Sequence, residues 1–111
     1  FWINSLGVWA IDLAALYAAW ELTPAAGLAA AYLAIVNAIP HIGAAIARRE
    51  YNPGLATAVL LFLPLGGWCV AVLSAEATLG EHAIGLAIAI GVHLAIIAHV
   101  ARRLSRLKAD A

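Results

Sequence analysis

Residues 24–54 read PAAGLAAAYLAIVNAIPHIGAAIARREYNPG, and this stretch decides the fold. From Pro24 to about Ala47 the chain is almost wholly apolar, over a length near the ~20 residues that cross ~30 Å of hydrocarbon at ~1.5 Å per residue. Thr23-Pro24 can cap and start such a helix, because proline is accepted in a first helical turn. Arg48-Arg49 end the run, and Tyr51-Asn52-Pro53-Gly54 supply a turn and a second helix start. Inside the run, Asn37 and His41 lie one turn apart. A membrane helix seldom carries polar or ionisable groups that it does not use, so this pair is a site hypothesis from the outset.

Three more apolar segments flank this one: about Phe1 to Leu22, Pro53 to about Ser74, and about Leu79 to Ala101, followed by a basic tail over 102–111. The connections are short, so neighbouring helices are expected to run antiparallel. The composition agrees. Of the 111 residues, 66% are hydrophobic and 11% charged, against about 25% charged in ordinary soluble domains. A soluble chain this small could not hide so much apolar surface. We therefore expect one all-α domain over 1–111, a polytopic transmembrane bundle of four helices. The chain begins at Phe1 with no basic region before its first apolar run, so that run does not read as a signal peptide, and a further segment upstream is expected.

Charge placement predicts the orientation. Arg48 and Arg49 follow the second helix, and Arg102, Arg103, Arg106 and Lys108 follow the fourth. On an antiparallel path these share one side, while Glu21, Glu76, Glu81 and His82 fall on the other. That is a positive-inside pattern, with both chain ends cytoplasmic and a bacterial inner membrane as the expected location. The six basic residues are thus accounted for by topology, and nucleic-acid binding is not expected. Trp2, Trp20, Trp68 and Tyr51 are candidate interfacial anchors. Small residues four apart, at Ala14/Ala18, Ala26/Ala30, Gly27/Ala31 and Ala34/Ala38, suit close helix packing. Pro40 and Pro64 lie inside helices, where each removes a donor and is expected to bend its helix.

The intramembrane polar groups fall in one band of depth. Asp12 is near the middle of the first helix. Asn37 lies about 15 Å from the cytoplasmic end of the second, with His41 a turn nearer that end, and His93 lies about 13 Å from the cytoplasmic end of the fourth. An Asp at a helix centre costs roughly 2.5–3.5 kcal/mol, which the apolar residues of its helix barely offset at about 0.3–0.6 each. Asp12 should therefore be protonated, paired or turned to a polar cavity, either as a metal ligand or proton carrier or as an interhelical hydrogen bond. Asn37 and His41 share a face. Asn37 can orient the imidazole for a metal, or both can serve as ordinary interhelical contacts.

His93 and His99 are six apart and do not form an i, i+4 metal pair. His93 lies at a depth similar to His41, so the two could join on a metal or a haem iron, though no diagnostic haem motif is present. Ala89-x-x-x-His93 and Ala95-x-x-x-His99 also resemble, weakly, the setting of chlorophyll-binding histidines. The candidate metal set is His41, Asn37, Asp12 and His93. Cys69, the single cysteine, reads as a small core residue. No zinc-protease, nucleophile-elbow or phosphate-loop motif occurs.

Asn37-x-x-x-His41, the basic turn, Tyr51-x-Pro53-Gly54 and the apolar run to Pro64-Leu65-Gly66 together resemble the HXXEE-motif family of small polytopic membrane proteins, mainly bacterial. The resemblance is closest over the second and third helices. The family's His-x-x-Glu-Glu, which lies near its N-terminus, does not occur in this chain. The resemblance implies a cluster of His and Glu in a membrane bundle, but no settled activity. Three functions follow as expectations. One is a membrane-embedded divalent metal site, completed by upstream carboxylates, that activates water for hydrolysis. Another is a non-catalytic accessory subunit that associates with lipids and with other membrane subunits or itself. The third is a haem- or pigment-binding bundle using His41 and His93.

Overall fold

In the computed structural model, residues 2–109 are described, with side chains described over 10–108. Four helices form, with no strand among the described residues. They are α1 (Trp2–Glu21), α2 (Leu28–Arg48), α3 (Leu55–Leu73) and α4 (Leu79–Ala109). A 3-10 turn over Pro24–Gly27 leads directly into α2. The segments Pro24–Arg48, Leu55–Leu73 and Leu79–Lys108 are each long and apolar enough to cross a membrane, which points to an integral membrane protein. The expected anchoring side chain of Trp2, and the chain ends Phe1 and Ala111, lie outside the described residues.

Local chemistry sets the boundaries. Thr23 caps the turn after α1, its hydroxyl accepting from the Ala25 N–H at 3.4 Å, and Pro24 occupies the first turn as expected. α2 runs unbroken through Pro40 and stops where Arg49 turns left-handed at φ 54°. α4 opens on a reciprocal cap. The Thr78 N–H and hydroxyl both donate to the Glu81 carboxylate, at 2.7 and 2.8 Å, while the Glu81 N–H donates to the Thr78 hydroxyl at 3.3 Å. This arrangement satisfies donors that a helix start leaves without partners.

Two details differ from expectation. The basic stretch after Ala101 is not a separate tail, because α4 continues through it to Ala109. Its Arg and Lys residues are good helix formers, no Gly or Pro interrupts them, and cations near a helix C-terminus complement its dipole. In α3, Ala58–Phe62 form a π turn, and the Leu63 N–H reaches back to the Ala58 carbonyl. Pro64 follows at once. It has no N–H to give and its ring crowds the carbonyl four residues earlier, so a widened turn just upstream accommodates it.

α2 is the central element and packs against each of the others. Its buried residues are Leu28, Ala29, Ala31, Leu33 and Ala38, and the remaining core is mostly alanine: Ala15, Ala25, Ala58 and Ala89. The large apolar side chains point outward instead, among them Ile46, Leu60, Leu79 and Leu94. A core of small residues with a perimeter of large ones is what a lipid solvent permits. Two glycines mark close approaches between helices. A Cβ at Gly66 would meet Ile35 at 2.8 Å and the Ala31 carbonyl at 3.0 Å, and one at Gly85 would meet Leu28 at 3.1 Å. Gly85 beside Leu28, with His93 beside Asn37, shows that α2 and α4 run parallel, and Gly54 beside His41 with Gly66 beside Ile35 shows that α3 runs antiparallel to α2.

Candidate functional site

Within its apolar run α2 presents three polar side chains, Tyr32, Asn37 and His41, and each finds a different partner. Asn37 and His93 are brought together. His93 Nδ1–H donates to the Ala89 carbonyl one turn back at 2.9 Å. Nε2 lies 3.3 Å from Asn37 Oδ1, so the imidazole is held at both of its nitrogens, once by its own helix and once by α2.

His41 does not pair with Asn37, although the two share a helix face. It is taken by Asn52, in the turn after α2. His41 Nδ1–H donates to Asn52 Oδ1 at 3.0 Å, and Asn52 Nδ2 donates to the His41 carbonyl at 2.8 Å. One side chain thus holds both the ring and the backbone of its partner. The imidazole lies over Gly54, where a Cβ would come within 2.6 Å of the ring. Gly54 has φ 100°, a left-handed conformation that a side chain disfavours. Glycine is needed here on both counts, which gives the Tyr-x-Pro-Gly turn a packing reason.

Asp12 is half-buried in a separate groove between α1, α2 and α3, which Trp68 and Cys69 also line. His99 is exposed near the basic end of α4. Among the described residues, no three His, Cys, Asp or Glu side chains gather where they could hold a metal ion.

Three participants were not singled out as site residues from sequence. Asn52 reads there only as a helix start. Tyr32 and Ser74 meet His82, which lies in the first turn of α4 and not in the preceding loop. The Tyr32 hydroxyl is 2.8 Å from His82 Nδ1, and Ser74 Oγ is 3.2 Å from Nε2. Ser74 donates its own proton to the Val70 carbonyl at 2.6 Å. It therefore accepts from Nε2–H, and Tyr32 donates to Nδ1. A serine whose proton is given to a backbone carbonyl is not poised as a nucleophile toward that histidine. The signal in the sequence was faint: one hydroxyl in an alanine run and one beyond α3.

The fold and its polar contacts define an all-helical protein, with three helices apolar enough to span a membrane and histidine–amide contacts tying α2 to its surroundings. The sequence pattern of a family described as "Protein of unknown function with HXXEE motif" matches residues 1–69, well over half of the chain. The chain belongs to this family. No curated protein and no solved structure matches it.

Proposed function

We propose that this chain is a four-span integral membrane protein of the bacterial cytoplasmic membrane, acting as a non-catalytic subunit that associates through the outer face of α4. The observation that carries this reading is a stripe on that helix. Ala83, Ala87, Gly91 and Ala95 recur every four residues and are all exposed, and a Cβ built at Gly91 would meet nothing within 4 Å. Exposed small residues occur in pairs elsewhere, at Gly43 and Ala47 on α2 and at Gly67 and Ala71 on α3, but among the described residues only α4 carries four in one register. A run of small residues lets another helix backbone approach closely, and packing of that kind drives association in lipid. The histidine–amide contacts then act as interhelical ties.

Register supports the orientation. Gly85 faces Leu28 and His93 faces Asn37 at nearly the same offset. Extending it brings Arg48 and Arg49 level with the turn around Leu104, among Arg102, Arg103 and Arg106. Basic residues on one level fit a cytoplasmic end.

The test is cysteine cross-linking in native membranes, using Gly91→Cys in a Cys69→Ala background, with Leu60→Cys, at an exposed large residue of α3, as the control. A discrete cross-linked product at position 91 that Ala87→Ile abolishes in a folded protein is expected. A protein that stays monomeric in native nanodiscs and gives no product at position 91 overturns the reading.

A further inference from the structure

The groove that holds Asp12 does not enter the reading above. It encloses about 420 Å³ between α1, α2 and α3, within the range of small-molecule sites. Its walls are nearly all apolar, with Leu16, Ala30, Gly66 and Val72 among them, and among the described residues no Lys, Arg or His lines it. Two groups break that character. Asp12 lies about 15 Å along α1, and among the described residues nothing hydrogen-bonds its carboxyl. Trp68, from α3, contributes an indole to the same groove and is 66% exposed.

A carboxylate in an apolar setting is costly unless it is neutralised or paired. Among the described residues its walls supply no cation, so a pair for the ionised form comes from outside the groove. A hard metal ion does not suit it, since such cations take six or more oxygen ligands and this groove offers one carboxylate. An organic cation with a greasy body suits all three features: charge for Asp12, apolar area for the walls, and a positive face for the indole.

We propose that this groove binds a lipophilic organic cation, with the Asp12 carboxylate as its counter-ion and the Trp68 indole as its aromatic wall. Cation and proton then compete for one carboxyl group, so binding weakens as the medium is acidified. The proposal is independent of any association through α4.

The experiment is calorimetric titration of the full chain in nanodiscs with tetraphenylphosphonium, and with tetraphenylborate, an anion of the same shape. Saturable binding of one phosphonium per chain is expected, at least tenfold weaker in Asp12→Asn and kept in Asp12→Glu, with no saturable binding of the borate. Equal binding of both ions marks an apolar crevice that does not select charge, and overturns the proposal, as does unchanged affinity in Asp12→Asn. A partner helix cross-linked into the groove, with no phosphonium binding, also overturns it. Should Asp12→Asn fail to fold, Trp68→Leu leaves the carboxyl in place. A severalfold loss of affinity is expected there, and an unchanged affinity overturns the proposal.

Discussion

His93 Nε2 on α4 lies 3.3 Å from the Asn37 amide on α2, and this contact joins residues 56 positions apart in the chain. It is half-buried on both sides, and it fixes how two parallel helices sit against each other. Interhelical hydrogen bonds in membrane bundles are worth about 0.6 kcal/mol on average, and up to about 1.7. A double-mutant cycle with Asn37→Ala and His93→Ala, read by reversible unfolding in micelles, should give a coupling of about 0.5–1.5 kcal/mol. A cycle of Asn37→Ala with His41→Ala should give a much smaller one, since these two residues do not bond. Strong Asn37–His41 coupling would contradict the arrangement.

The turn after α2 depends on a residue that has no side chain. Gly54→Ala places a Cβ against the His41 ring and imposes a side chain at φ 100°. The expected loss is about 2–3 kcal/mol, from backbone strain and overpacking together. In a His41→Ala background the collision disappears and only the backbone cost of about 1 kcal/mol should remain. The comparison of the two losses, measured as unfolding free energies, separates strain from contact. Equal losses in both backgrounds would show that the imidazole does not lie over Gly54.

Adjacent glycines in α3 should behave in opposite ways. Gly66 is pressed against Ile35 and the Ala31 carbonyl, whereas a Cβ at Gly67 meets nothing within 4 Å. Gly66→Ala should destabilise by about 1–3 kcal/mol, because one of the atoms it meets is backbone and cannot swing aside. Gly67→Ala should be neutral or stabilising by up to about 1 kcal/mol, since alanine is the better helix former. Thermal unfolding of the two variants side by side checks the rotation of α3 about its own axis.

Hydropathy and punctuation were legible from the residues alone. The apolar run from Pro24 to Arg48 is a helix, and Thr23-Pro24 opens it. Such features are local: in lipid the backbone must satisfy its own hydrogen bonds, so a long apolar run has little choice but to be helical. The end of α4 was less legible, because basic residues are at home both in a solvated tail and in a last helical turn.

What the tertiary structure alone decided is the pairing of the polar groups. Spacing four apart places Asn37 and His41 on one face of α2, but it does not say what faces them. His41 is taken by Asn52, because the turn folds back beneath it and Gly54 leaves room for the ring. Asn37 is taken by His93, because Gly85 and Ala89 let α4 come close in that register. Asp12 is directed to a groove that only the meeting of three helices creates. Rise per residue fixes depth from the sequence, so these groups could be assigned to similar levels of the bundle. Rotation and register between helices are set by side-chain packing across contacts distant in the chain, and partner choice depends on both.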